Sequence, residues 1–406
     1  MISGKYLLLA IPPYYEDSQG EIWLDELWYR DLVAHLDYID DLTVFCPKRA
    51  KPDADEVRGI KLVKVGKEIL EHLSFAAQPS ITSGKQMPFH FLRSLPLIWR
   101  LIGKMDVIHS GVAGWPYPMG LIANPIALLK KKPLIIVVES SPWRLANPRS
   151  ASRMEKLRES LNERFAGWSI RKADLAVMTS PAYRDTLGAP ENGDVLITPA
   201  NWVKDSDILS PENAETNWAA KSGITKLICP TRLENNKGIA VVIEALELLD
   251  AQQHEIQIDI IGQGDLENPI KERLSALKHV KSSLLSPILY GPPFFSLLQQ
   301  YDMLIAPTLG DEQPRIIFDA YSQALPVIAS NTSGQQFLID EGKTGTLYWR
   351  TDPKDLAQSI IDVAPDRAWL HAMGKNALSY AKQQTHEAMH AKRAEAIAKM
   401  LDAKKA

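Results

Sequence analysis

The sequence predicts an α/β protein of two domains, each a doubly wound parallel sheet. Three observations carry this. Short apolar or β-branched runs alternate with segments of helical period along the chain, the pattern of parallel strands covered by helices on both faces. The alternation lapses between Pro199 and Lys226, in a stretch rich in Asn, Asp, Ser and Pro. A length of 406 residues suits two cores, at a prior of about 150 residues each. The first domain is drawn as 1–203 and the second as 204–384, leaving 385–406 as a terminal helix that packs on the second domain or returns to the first.

In the first half the strand-like runs are Tyr6–Ile11, Leu42–Cys46, Ile60–Val65, Asp106–His109, Leu134–Glu139 and Leu175–Thr179. Met154, Leu157, Leu161, Phe165 and Trp168 recur at helical spacing and read as one buried face. Residues 90–105 mix apolar side chains with Arg93, Arg100 and Lys104, and Pro96 interrupts them. Such a segment fits an edge helix, and it leaves open a peripheral contact with an anionic membrane.

The second half repeats the architecture. Strands are read at Leu227–Cys229, at Ile256–Ile261, ahead of Gly291 and at Met303–Ala306, with helices near Ile239–Leu249, Ile270–Leu277 and Leu297. After Met303–Ala306 comes a polar acidic turn. Pro314 then reads as the first turn of a helix, where its missing N–H costs nothing, and Ile317, Phe318, Tyr321 and Ala324 follow at helical spacing.

Composition narrows the function. A formal net charge of -3 argues against bulk nucleic-acid binding. Cys46 and Cys229 are far apart, lack metal-ligand spacing, and read as buried thiols in a reducing cytosol. The opening MISGKYLLLAIPPYY reads as a first strand, too short to span a bilayer, and no run reaches about 18 apolar residues. A cytoplasmic protein is expected, with a peripheral position at the inner membrane face left open.

Polar residues collect where the predicted strands of the second half end, the edge at which doubly wound sheets bind ligands. Arg232 and Lys237 follow the first of these strands, and two cations in a loop before a helix suit a diphosphate. Gly262-Gln263-Gly264 follows the second, without the third glycine of a dinucleotide fingerprint. Asp311, Glu312 and then Asp319 follow Met303–Ala306. Each has a plain alternative: a solvated cation, an ordinary turn, a helix cap. Asp205-Ser206-Asp207 and Asp53-Ala54-Asp55 resemble metal-binding Asp-x-Asp pairs, but neither follows an apolar strand, and both read as polar loops.

Taken together, Thr231–Ile239, Ile261–Leu266, Asp302–Asp319 and LPVIASNTSGQQFLIDEGKTGTL at Leu325–Leu347 resemble the retaining GT-B glycosyltransferases of family 4, over nearly all of the second half. The first half matches in outline, through DVIHSG at Asp106–Gly111. The resemblance implies two Rossmann-like domains facing a cleft. It implies transfer of a sugar from a nucleoside-diphosphate sugar to a saccharide or lipid-linked acceptor, with no metal and no cofactor beyond the donor. It assigns Arg232 and Lys237 to the diphosphate, Asp311 or Glu312 to the donor sugar, and Asp319 to the ribose. Gly262, Gly264, Gly291 and the Pro314-Arg315-Ile316 segment would bring backbone to the nucleotide, and His109 would be a contact from the first domain, with Glu139 and Arg144 as further candidates. Two family glutamates eight positions apart are here Asp311 and Asp319, with Glu312 one residue out of register. The glycine-rich turn after the first strand is absent, and Glu139 stands where many members have histidine. A GT-B epimerase or hydrolase and a non-catalytic sugar-binding partner protein stay open as alternatives.

Overall fold

The computed structural model describes residues 1–405 apart from 55, 58, 80, 82, 115, 116 and 146–150, and apart from the side chain of residue 57. The chain packs as two units. One holds Met1–Leu145, the described residues onward to Thr198, and the chain from His390; the other holds Pro199–Met389.

The strands of the first unit are β1 (Ile2–Leu9), β2 (Tyr14–Glu16), β3 (Ile22–Asp25), β4 (Ile39–Ala50), β5 (Glu56–Val57), β6 (Ile60–Lys64), β7 (Leu73–Gln78), β8 (Val107–Gly111), β9 (Leu134–Val138), β10 (Leu175–Met178) and β11 (Asp194–Ile197). Its parallel body runs β11-β10-β9-β8-β1-β4, with β7 also on β4, so strand order reverses between β1 and β8. Leu7 sits opposite both Thr43 and Ile108. The end of β4 carries β2 in parallel, and β3, β6 and β5 continue as an antiparallel extension. The Ile60–Val65 run therefore belongs to that extension rather than to the parallel sheet, and of β6 only Leu62 is fully buried.

Two helices differ from expectation. The helix Arg153–Lys172 starts at a capping box, Ser152 accepting from the Glu155 N–H and Glu155 accepting from the Ser152 N–H. Its predicted apolar face does not pack: Met154, Leu157 and Leu161 are exposed, and Phe165 and Trp168 half-buried. Ala166, Gly167, Ser169 and Ile170 meet the body of the unit instead, where small side chains permit close approach. The second is Met87–Gly103, which runs through Pro96 without a break and is held by His90, Ser94, Ile98 and Ile102. In the helix His386–Lys405, Ile397 and Met400 join the core of β1 and β4 residues Tyr6, Leu42 and Val44.

The second unit holds β12 (Lys226–Pro230), β13 (Gln257–Ile261), β14 (Lys281–Leu285), β15 (Met303–Ala306), β16 (Val327–Ser330) and β17 (Gly345–Tyr348), all parallel, in the order β14-β13-β12-β15-β16-β17. β15 and β16 are buried throughout, as strands covered on both faces must be. Order reverses between β12 and β15, a topological switch point where the carboxyl ends open a crevice. Gly291 lies beyond β14 and opens the helix Pro292–Leu298 at φ 105°.

Cys46 and Cys229 are buried free thiols, each pushed up to about 12 by burial and so unreactive. Among the described residues no helix is long and apolar enough to cross a membrane.

Candidate functional site

Three loops at the switch point of the second unit are joined through their backbones. Thr231 N–H donates to the Ile261 carbonyl at 2.9 Å, and Leu233 N–H to that of Gln263 at 3.1 Å. This ties the loop after β12 to the glycine turn after β13. A Cβ on Gly262 would stand 1.9 Å from the Thr231 oxygen, and one on Gly264 2.5 Å from the Leu233 oxygen, so the contact requires glycine. On the other side Leu309 N–H donates to the Asn236 carbonyl at 3.1 Å. Gly238 there has φ 73°, and a Cβ on it would lie 1.8 Å from the Pro307 oxygen.

This assembly sets Lys237 against the acidic loop. Lys237 ends a short 3-10 turn, its side chain only 12% exposed, and its ammonium donates to Glu312 Oε1. The Thr308 hydroxyl donates to the same oxygen at 2.9 Å. Burial pushes the Glu312 carboxyl up, but the Lys237 charge and these donors outweigh it and hold it below the usual carboxylate range. Glu312 is therefore an ionised, oriented carboxylate. Its neighbour Asp311 accepts from the Ser333 hydroxyl. Arg232 is half exposed, its guanidinium 3.0 Å from Glu234.

The helix that follows is Ile316–Ser322, so Pro314 stands ahead of the helix rather than in its first turn; its carbonyl accepts from Ile317 N–H at 3.4 Å. Gln313 is instead committed to the backbone of Ala200, accepting from its N–H at 3.0 Å and donating to its carbonyl at 3.1 Å. The Arg315 guanidinium lies 4.4 Å over the Trp202 ring. Asp319 is buried and accepts from the Tyr290 hydroxyl at 2.7 Å, which links it to the segment before Gly291.

Burial pushes the Asp319 carboxyl up to about 7, against the lowering effects of Tyr290 and Arg315. Below about pH 4 folded and unfolded chains both hold this proton; between about 4 and 7 only the folded chain does. Its contribution to stability is thus full at low pH and is lost as pH rises through about 7. Asp319→Asn, which keeps an acceptor for Tyr290, should gain stability relative to wild type as pH rises from 5 toward 8. The gain should accrue below about pH 7, at no more than about 1.4 kcal/mol for each pH step of one. Thermal melts of both proteins at pH 5 and pH 8 measure it; a pH-independent difference would show that Asp319 titrates as an ordinary carboxyl.

The structure thus brings Arg232, Lys237, Gly262, Gly264, Asp311 and Glu312 to one strand edge. Thr308, Ser333 and Tyr290 join them without any motif to announce them, since they matter only through contacts distant in sequence. His109 is placed otherwise. It lies within β8, buried, its Nδ1 2.8 Å from the Tyr6 hydroxyl and its ring 6.2 Å from that of His35; burial holds it well below the usual histidine range. Glu139 is 3.7 Å from Arg393, and Arg144 pairs with Glu163 at 2.6 Å. Asp205–Asp207 forms a 3-10 turn in which Asp207 accepts from Lys204 N–H at 3.0 Å. Asp53-Ala54-Asp55 ends on a residue outside those described. Among the described residues, Asp31, His35 and His390, buried together in the first unit, form the one group with metal-ligand spacing.

Two six-or-more-stranded sheets of this order, with such loops at a switch point, define the fold of a GT-B glycosyltransferase, and known proteins of that kind resemble this chain in sequence and in structure. Residues 225–366 match the family model for glycosyl transferases group 1. The D-inositol 3-phosphate glycosyltransferase of Paenarthrobacter aurescens (strain TC1) is 23% identical over 303 residues, 70% of each chain. Sucrose-phosphate synthase from Thermosynechococcus elongatus superposes with a TM-score of 0.70 at 16% identity, over 99% of this chain and 100% of that one. Anabaena HepE, in a crystal complex with UDP and glucose, gives 0.63 at 15%, over 98% and 100%. The second unit thus carries a glycosyl transferases group 1 domain, and the chain has the fold of the GT-B glycosyltransferases.

Proposed function

We propose that the chain moves a sugar from a nucleoside-diphosphate sugar to a hydroxyl of a saccharide or lipid-linked acceptor, with retained anomeric configuration and without a metal. The observation that carries this is the Lys237–Glu312 pair, set at the switch point beside Arg232. The bond from the anomeric carbon to the diphosphate breaks, a bond to the acceptor oxygen forms, and the hydroxyl proton leaves with the diphosphate. Negative charge grows on the leaving group. Lys237 and Arg232 supply the preorganised positive charge that stabilises it. Glu312 or Asp311 accepts from donor-sugar hydroxyls, and Asp319 serves the ribose. Gly262, Gly264, Gly291 and the Pro314-Arg315-Ile316 segment admit the nucleotide to backbone. The UDP and glucose bound by HepE support a nucleoside-diphosphate sugar as donor; the family resemblance supports retention.

Incubation of the pure protein with a panel of nucleotide sugars, with and without acceptors, followed by mass spectrometry, tests the reading. Donor consumed equally without acceptor would make the chain an epimerase or hydrolase, and no binding at all would make it a non-catalytic protein. Glu312→Gln is expected to lower kcat/KM by roughly 100-fold and Asp311→Asn by less than about 10-fold, because Glu312 is tied to Lys237 and Asp311 accepts from the Ser333 hydroxyl. The reverse order would assign the sugar to Asp311.

A further inference from the structure

The helix Met87–Gly103 is fastened to the first unit by a narrow stripe, His90, Ser94, Ile98 and Ile102, one residue in four. Leu101 packs beside that stripe, and most of the remaining apolar surface faces outward. Met87, Phe89, Phe91, Leu92, Leu95, Leu97 and Trp99 are all exposed, Leu92 at 66% and Phe89 at 58%. Single exposed apolar residues are ordinary, but seven on one helix are not: a contiguous apolar surface of that kind marks a place where something docks.

The charge pattern selects what docks. The helix contains no acidic residue, and its charged positions are Arg93 and Arg100, with Lys104 at its end. The Arg93 guanidinium lies 4.1 Å over the Phe89 ring. The next helix, Gly120–Leu129, packs against this one and ends in Lys130, Lys131 and Lys132, and the Lys130 ammonium lies 4.1 Å over the Trp99 ring. Cations thus rest on exposed aromatic faces at both ends of the apolar strip. The chain as a whole has a formal net charge of -3, so this is a local concentration of positive charge and not a reflection of composition. An apolar strip bordered by long basic side chains and carrying a tryptophan matches a bilayer that offers hydrocarbon beneath a layer of negative headgroups. A protein partner would need a matching acidic rim around an apolar groove; a lipid surface supplies both in one plane.

The geometry points to a membrane-docking face: the helix Met87–Gly103, with the lysines after Leu129, lies in the headgroup region of an anionic bilayer. Phe89, Leu92, Leu95 and Trp99 enter the acyl boundary, and Arg93, Arg100 and Lys130–Lys132 meet the lipid phosphates. The assignment stands apart from the transfer chemistry, since none of these residues belongs to the second unit.

Flotation of the full chain with large unilamellar vesicles tests it, using neutral phosphatidylcholine against a mixture with about one third phosphatidylglycerol. The wild type is expected to float with the anionic vesicles, and less so as salt is raised. Leu92→Ser with Leu95→Ser should weaken partitioning at least about 10-fold, through the apolar transfer lost at two side chains. Arg93→Glu with Arg100→Glu should remove the preference for anionic lipid. All four side chains are exposed, so melting temperatures should stay within about 2 °C of wild type, the range of surface substitutions. A wild type that stays with the unbound fraction, or either variant floating as well as wild type, overturns the assignment. So does concentration-dependent self-association, by sedimentation, that the Leu92/Leu95 variant abolishes, because the face would then belong to a second copy of this chain. Donor turnover is measured separately on the same preparations, so loss of flotation and loss of transfer remain distinct results.

Discussion

Lys237→Ala is expected to lower kcat/KM by about 100-fold to 1000-fold, the cost of deleting one preorganised donor aimed at developing charge. Two effects add. The leaving diphosphate loses its least exposed cation, and Glu312 loses the charge that overcomes its own desolvation. Without Lys237 the Glu312 carboxyl should rise from its lowered position, so the deficit should worsen as pH falls toward the ordinary carboxylate range. Arg232→Ala provides the comparison. Its guanidinium is half exposed and already 3.0 Å from Glu234, so a loss nearer 10-fold is expected. Steady-state kinetics of both variants from about pH 5.5 to 8 measure this; equal, pH-independent losses would mean that Lys237 acts through general charge alone and that its pairing with Glu312 is incidental.

Gly238→Ala is expected to be the most damaging single methyl in the second unit. A Cβ there would lie 1.8 Å from the Pro307 oxygen, a backbone atom that no rotamer change can move, and the residue sits at φ 73°. Left-handed backbone costs an L residue about 1–2 kcal/mol before any clash, and the displaced loop would take Lys237 away from Glu312. A fall in melting temperature of several degrees and a loss of transfer comparable to that of Lys237→Ala should appear together. Gly291→Ala separates strain from contact: φ there is 105°, yet nothing stands within 4 Å of where a Cβ would lie, so it should lose stability and keep the loops joined. If Gly238→Ala melts like wild type, the close approach of the two loops is not a constraint on the fold.

The strands of the second unit are legible because burial on both faces writes them as unbroken apolar runs; Met303–Ala306 and Ile256–Ile261 fall on β15 and β13 to within a residue. Strands exposed on one face are harder. The sequence at Leu73–Gln78 alternates too weakly to declare β7, and Ile60–Lys64 announces a strand without its antiparallel partners. Periodicity along Arg153–Lys172 reveals an apolar stripe but not which way it faces, and the stripe turns to solvent. At the site, the cations and carboxylates can be named from order and spacing along the chain. Their pairing cannot: Lys237 and Glu312 are 75 residues apart, and what joins them is glycine-dependent packing of loops.

Under the proposed function, the Lys237–Glu312 pair would also set what the site refuses. Any anion that takes Lys237 for itself must leave Glu312 partly buried without its counter-charge, and an uncompensated carboxylate is costly. Chloride brings no donor to replace the lost one. A sugar diphosphate can, placing phosphate oxygens on the lysine and hydroxyls on the glutamate in a single exchange. Under the proposed function the ion pair would act as a filter against small anions that take the lysine and offer Glu312 no donor in return.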